Sequence, residues 1–380
     1  MDPPLKKILS VIALLSYCVI TFNCFADQPK QVRVLIMPDA ASFNLKVNGS
    51  YEVQDSLSGK ILYRGRELNT TAATYSTGIL IGEVNADTNK IFIKPTAPEA
   101  ITINGRRFRG NIQLIKKDNA RLAVVNYIEL EDYIKGILYH EVSHHWPQEA
   151  LKAQAIACRT FALYQIQENT SRDYDVTSDI YSQVYGGRTS ERYRTTKAVD
   201  ETKSEVLTYA DKIFPAYYHA TCAGHTENAF LLWNIDIAPL KGVPCVYCKE
   251  SPHFNWHLVL SKEEVRDALI KSGYNGFKEI KNIIILAEDV SGRVREVKVI
   301  TDKKEIKISG KDFRNSLGPN VINSLNFKVD VVDDDVVFIG FGWGHGVGMC
   351  QWGAYFMAKD GYKYQDILKY YYPGADVKTF

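Results

Sequence analysis

Glu141 stands in the run Leu138-Tyr139-His140-Glu141-Val142, beside aromatic and aliphatic neighbours. A carboxyl group partly desolvated in this way stays protonated near neutrality and can act as a general acid. Charge on His140, His144 or His145 would pull the other way, and a solvated glutamate at a helix entrance is the alternative reading. The same stretch, His140-Glu141-Val142-Ser143-His144, matches the H-E-x-x-H signature of zinc proteases, which works only where both histidines share a helical face. Pro147 follows closely and would break that helix. Neither the glycine nor the third histidine of the longer signature is present, although Glu168 is a third ligand by distance.

A second group has metal-ligand spacing. His219-x-x-Cys222 and Cys245-x-x-Cys248 form two knuckle-like pairs, a set that would hold zinc tetrahedrally in a closed, structural site. His225 can replace His219 as fourth ligand. The competing reading is a Cys245–Cys248 disulfide with His219 a core residue. Five cysteines lie beyond residue 26 (158, 222, 245, 248 and 350), an odd number that cannot pair fully within one chain.

A third group is Gly340-Phe-Gly-Trp-Gly-His-Gly-Val-Gly348. In an extended chain this alternation leaves one face bare, open to close approach, and presents Phe341, Trp343, His345 and Val347 on the other. His345 is a candidate neighbour of Glu141, or else a packed structural histidine. A polar loop, residues 171–190, carries Asp173, Asp175, Asp179, Gln183 and Tyr185, suited to hydrogen-bonding hydroxyl groups of a ligand at a cleft rim, though Asx turns account for such residues equally well.

These groups need elements to hold them. Proline is tolerated in a first helical turn, and Leu151, Ala155, Cys158 and Ala162 follow Pro147 at helical spacing, which predicts a helix from about Pro147 with Glu141 in the turn feeding it. Lys152 and Arg159 share a face of that helix and would present two cations. From Gln31 to about Ile115 short alternating segments predict strands, with Asn104-Gly105 the clearest hairpin turn. Ser261-Lys262-Glu263-Glu264 reads as a capping box opening a helix that Gly273 ends. Strands and a further helix follow, then two helices after the glycine motif, over 349–359 and from residue 362 to before Pro373. The expected fold class is α+β, in five parts. Residues 1–26 are a signal peptide, 27–115 a β-rich N-terminal unit, and 116–260 a mixed α/β core with the zinc candidates. Residues 261–335 are an inserted α/β block, and 336–380 complete the core.

The chain of 380 residues is 46% hydrophobic and 24% charged, with net charge +2. That composition is ordinary for a globular protein and gives no overall basic field, so nucleic acid is not an expected partner. Lys6-Lys7, the apolar run Ile8 to Ile20, and Cys24-Phe25-Ala26 read as a secretory leader cleaved after Ala26. The apolar run is short for a membrane span; an uncleaved leader would act as an anchor. Tyrosine is abundant, at 23 residues, but composition alone does not separate sugar stacking from packing.

Several of these stretches together resemble the SpoIID/LytB family. The resemblance is carried by Asn126-Tyr127-Ile128-Glu129-Leu130-Glu131-Asp132-Tyr133, Gly136, Glu141, Trp146-Pro147-x-Glu149-Ala150-Leu151-Lys152-Ala153-Gln154-Ala155 and Ala157-x-Arg159-Thr160. It continues through Gln183-Val184-Tyr185-Gly186-Gly187, Tyr218-His219-Ala220-Thr221-Cys222-Ala223-Gly224, and Gly344-His345-Gly346-Val347-Gly348-Met349 with Gln351 and Gly353-Ala354. It implies an exported protein of the bacterial envelope, active in the periplasm or cell-wall space during cell division or sporulation. The family's catalytic branch are lytic transglycosylases that cut peptide-stripped peptidoglycan strands, and their essential acid falls on Glu141. On this reading Lys152, Arg159, Gln183, Tyr185, His345 and Gln351 bind substrate or tune the acid. Some relatives carry zinc near the cysteine pairs, which here implies His219, Cys222, Cys245 and Cys248. Two other activities stay open: glycoside hydrolysis with Asp179 as second carboxylate, and glycan binding that activates a cell-wall amidase.

Overall fold

The computed structural model describes residues 31–380 apart from 98, 99, 119 and 180; the expected leader lies outside the described residues. The fold is α+β. Alternation drives the N-terminal part: in Ser42–Val47 the side chains of Phe43, Leu45 and Val47 are buried and those between are exposed. Two sheets result. One has seven strands, in the order Val176–Thr177, Gln31–Ala40, Leu122–Glu129, Asn111–Lys116, Lys90–Pro95, Tyr51–Asp55 and Ile61–Gly65. The other has six and includes the hairpin Ile101–Ile103/Arg106–Phe108. Asn104 and Gly105 turn that hairpin with φ of 47° and 81°, the positive values a two-residue type I′ turn requires. Both sheets feed one core with the helices that follow. The expected boundary near residue 115 therefore cuts through a sheet, because Leu122–Glu129 pairs on both sides with strands of the N-terminal part.

Eight helices are described. Helix α1 (Leu130–Glu141) leaves directly from strand Leu122–Glu129 and buries Leu130, Tyr133, Ile134, Ile137 and Leu138, one stripe at helical spacing. Helix α2 (Gln148–Glu168) starts after Pro147, as the sequence predicts. It is buried nearly all round, and its alanines let α1, α3 (Tyr193–Glu201), α7 (Gln351–Lys359) and α8 (Tyr364–Tyr371) approach it closely. Between them come α4 (Ala229–Trp233), α5 (Lys262–Lys271) and α6 (Gly310–Leu317). The capping box of α5 forms, with Ser261 and Glu264 each accepting from the other's backbone N–H.

The inserted block is wider than expected. Asn255–Ser261 and Asp335–Phe341 pair in one three-stranded sheet with Phe327–Val332, beside a second sheet of Ile280–Glu288, Val294–Thr301 and Glu305–Ser309. The glycine motif also departs from a plain strand. Regular pairing stops at Phe341, and Gly342, Gly344, Gly346 and Gly348 take φ of 79°, 107°, 87° and 72°, values that L-residues rarely adopt. The expected close approach is present: a Cβ on Gly348 would lie 1.9 Å from the Tyr217 carbonyl oxygen, and one on Gly344 would lie 2.8 Å from His219 Cβ.

Candidate functional site

Glu141 is the last residue of α1, not part of the turn before α2, because Val142 is already extended. It opens onto a cleft of about 610 Å³ walled by Phe161, Tyr217, Trp233 and Trp343, with His140, His219, His345, Ser182 and Gln351 as polar groups. Among the residues lining this cleft, Glu141 is the sole carboxylate. Burial lifts its pKa to about 7, against the opposing pull of hydrogen bonds from the Val184 N–H (3.3 Å) and the Tyr218 hydroxyl.

A hydrogen-bond relay stands behind the acid. Tyr133 donates to Gln183 Oε1 at 3.0 Å, and Gln183 Nε2 donates to the Tyr218 hydroxyl at 3.1 Å. The Cys158 thiol also donates to that hydroxyl, at 3.5 Å. With both donors on its oxygen, Tyr218 directs its own proton to the Glu141 carboxylate. From the other side Gln351 Nε2 donates to the Glu141 carbonyl oxygen at 3.2 Å and to Gln154 Oε1 at 3.4 Å. Sequence reasoning gives Tyr218 no role beyond its place in a motif, because nothing local signals that it reaches an acid 77 positions upstream.

The structure brings some of the predicted residues together and separates others. His345 and Gln351 line the cleft with Glu141. Gln183 is buried and meets the acid only through Tyr218. Tyr185 is buried beneath α1, its hydroxyl donating to Asn126 Oδ1 at 2.8 Å; a Cβ on Gly136 would lie 2.5 Å from its ring, which accounts for that glycine. Arg159 and Lys152 do not present cations to the cleft. Arg159 is fully buried in a two-pronged ion pair with Glu131 (2.9 and 2.8 Å) and also donates to the Glu205 carbonyl. Lys152 pairs with Glu201 at 2.9 Å and Glu149 at 3.4 Å. The loop aspartates are likewise engaged internally: Asp173 with Lys90, Asp175 with Arg33, and Asp179 in a turn to Tyr181 N. The H-E-x-x-H match has no common helical face, because α1 ends at Glu141 before His144, and His140 Nε2 meets Ser190 Oγ at 2.6 Å.

His345 accepts at Nδ1 from the Val347 N–H at 3.0 Å. Burial, then the positive charges of Arg314 and Arg293, push its pKa down to about 3, so the ring is neutral with its proton on Nε2.

The metal-ligand set differs from expectation in one member. The sulfurs of Cys222, Cys245, Cys248 and Cys350 all lie within 4.8 Å of one another, and all four residues are buried. His219 stands apart, its Nδ1 bonded to the Val347 carbonyl at 3.1 Å; His225 Nδ1 meets the Thr226 carbonyl. Cys350 takes the fourth place because strand residues Tyr218–His219 pair in parallel with Met349–Cys350. The unpaired cysteine count was the signal that could have found it. The five cysteines of the described residues are free, and the Cys222 and Cys248 sulfurs sit 3.5 Å apart, far beyond a disulfide bond and close to the edge of a tetrahedron of metal-bound thiolates. Neighbouring sulfurs draw the Cys248 and Cys245 thiols toward the thiolate. The backbone N–H groups of Cys222 and Gly353 donate to Cys350 Sγ at 3.3 Å, and the Tyr371 hydroxyl contacts Cys245 Sγ at 3.1 Å. The donor set thus fits a soft divalent metal in a closed site.

Comparison with known proteins agrees with the motifs. A family model described as Stage II sporulation protein matches residues 118–209, the stretch with Glu141, α2 and Gln183, and one described as a domain of unknown function matches residues 246–348. An uncharacterised protein of Brachyspira hyodysenteriae is 34% identical over 358 residues, 94% of this chain and 95% of its own. Stage II sporulation protein D of Bacillus subtilis is 31% identical over 269 residues, 67% of this chain and 75% of that protein. The chain belongs to the SpoIID family. It is also 26% identical, over 87% of its length, to the amidase enhancer of Bacillus subtilis, of which it spans 53%. No helix of the described residues is long and apolar enough to cross a membrane.

Proposed function

We propose that this protein is an exported lytic transglycosylase that cleaves the bond between N-acetylmuramic acid and N-acetylglucosamine in peptide-stripped peptidoglycan, with Glu141 as its acid and base. The observation that carries the reading is a single carboxyl group, with a pKa of about 7, in an aromatic-walled cleft that no second carboxylate of the described residues lines. Protonated Glu141 gives its proton to the glycosidic oxygen as the bond from C1 breaks. The resulting carboxylate takes the proton of the muramic acid C6 hydroxyl as that oxygen bonds to C1, closing a 1,6-anhydro ring and restoring the acid. A nucleophile within the substrate removes the need for a second carboxylate, whereas hydrolysis through Asp179 would need one at the cleft. A pKa near neutrality suits one group to both transfers. Tyr217, Trp233 and Trp343 offer faces on which sugar rings stack.

The cysteine cluster belongs to this reading as a structural zinc site. Zinc bound by Cys222, Cys245, Cys248 and Cys350 would cross-link the core, with no open position for chemistry. Cys350 precedes Gln351, so the site would also hold the residue that grips the Glu141 carbonyl.

The likeness to an amidase enhancer over 87% of the chain favours one second reading, a glycan-binding activator of a cell-wall amidase. Incubating peptide-free glycan strands with the wild type and Glu141→Gln separates the two. Cleavage to 1,6-anhydro ends by the wild type alone supports the enzyme; absence of cleavage by both, with binding retained, supports the activator.

A further inference from the structure

The inserted block from Asn255 to Phe341 contributes no residue to the cleft lining, yet two of its arginines reach the segment that carries His345. Arg293, on the turn before strand Val294–Thr301, is 1% exposed. It donates to the carbonyls of Cys222 (3.0 Å) and His225 (2.9 Å). Its guanidinium lies flat against Gly346, where a Cβ would come within 2.5 Å of Arg293 Cζ. The Gly346 carbonyl is fixed in turn by the Glu227 N–H at 2.8 Å. Arg314, on α6, donates to the carbonyls of Ile322, Pro319 and Asn323 at 2.7, 3.0 and 3.1 Å. The Asn323 carbonyl also accepts from the Gly344 N–H at 2.8 Å.

The residues immediately before and after His345 are therefore each tied to one of these arginines. Glycines have no side chain to hold a ribbon in place and are free to take many conformations, so the bracing has to come from outside. The ribbon in turn packs on the segment that carries Tyr218: a Cβ on Gly344 would lie 2.8 Å from His219 Cβ, and the Met349 N–H donates to the Tyr217 carbonyl at 3.0 Å. His345, Tyr218 and Glu141 line one cleft.

We propose that Arg293 and Arg314 are positioning residues for the reaction at Glu141: they clamp Gly346 and Gly344 on either side of His345, and the braced ribbon holds His345 and the segment of Tyr218 in place at the cleft with the acid. This rests on the function proposed above. It gives the inserted block a task, to brace the glycine ribbon from behind, and explains why the block's strand Asp335–Phe341 runs directly into that ribbon.

The test uses the full mature chain with Arg293→Met and Arg314→Met, which keep bulk and remove the fork of donors. Misplacing a reacting group by about 1 Å costs on the order of 100-fold in rate. In variants shown to be folded by circular dichroism, the clamp predicts kcat down by about 10- to 100-fold on glycan strands with KM little changed. The second readout is independent of cleavage: in ¹⁵N-labelled protein the His345 imidazole, assigned with His345→Gln, should lose the signature of an Nδ1 that accepts from Val347. Unchanged kcat with an unchanged imidazole spectrum overturns the proposal. Should the methionine variants not fold, Arg293→Lys and Arg314→Lys keep a cation with fewer donors, and wild-type kcat in both is equally contrary. If the wild type does not cleave glycan at all, the transglycosylase reading fails while the imidazole spectra still decide the clamp.

Discussion

The side-chain amide of Gln351 donates to the backbone carbonyl of Glu141 at 3.2 Å, across 210 residues of sequence. This bond joins the start of α7 to the end of α1, where a helix leaves carbonyls without partners inside the helix. The acid is thus held at its backbone by one end of the chain and at its carboxyl by Tyr218, whose strand pairs with the residues just before Gln351.

Tyr218→Phe removes a hydrogen bond that favours the carboxylate. The pKa of Glu141, already raised by burial, should rise further, and the alkaline limb of the pH–rate profile should move to higher pH while kcat falls. A limb left in place would show that the Tyr218 hydroxyl does not tune the acid.

Glu141 also links stability to pH. Its folded pKa of about 7 exceeds the ordinary 4.5, so the native state keeps a proton that the unfolded chain releases between these values. Stability should therefore fall as pH rises from 4.5 to 7. Glu141→Gln lacks that dependence. It should match the wild type near pH 4 and exceed it above pH 7 by on the order of 2 kcal/mol, the carboxylate being partly open to the cleft. Urea unfolding of both proteins across this range measures the difference directly.

The cysteine geometry predicts about one zinc per chain in protein purified without chelators. Cys350→Ser and Cys245→Ser should lose the metal, and His219→Ala should keep it. Retention by Cys350→Ser with loss from His219→Ala would restore the ligand set expected from the paired motifs.

Arg159→Met breaks a buried ion pair and leaves Glu131 uncompensated, a change that costs about 3–5 kcal/mol. The prediction is a lower unfolding midpoint with KM for glycan unchanged, because Arg159 faces Glu131 and not the cleft. A raised KM without loss of stability would return it to the substrate site.

Local chemistry was legible in the sequence where neighbours in the chain decide it. Alternation in Ser42–Val47, the Asn104-Gly105 turn, the start of α2 after Pro147 and the Ser261 capping box all depend on a few adjacent residues. What the sequence hid depends on residues far apart. Lys152 and Arg159 share a helical face, but a pattern on one helix does not say whether Glu131 and Glu201 or solvent meets it. Gln183 and Tyr185 match a motif, yet they serve the site from beneath it, through Tyr218 and Gly136. Short spacing suggested His219 as a ligand, whereas the parallel pairing of residues 218–219 with 349–350 brings in Cys350. The glycine alternation implied an extended ribbon, and its positive φ values arise from contacts with residues 217–222 and Arg293 that no local pattern encodes.

The central claim, an internal nucleophile with Glu141 as the only acid, is tested most directly by cleaving peptide-free glycan strands in ¹⁸O-labelled water and weighing the fragments. The account predicts fragments one water lighter than hydrolysis would give, without ¹⁸O, and none from Glu141→Gln. Fragments carrying ¹⁸O at a reducing end would contradict it and require a second group to activate water.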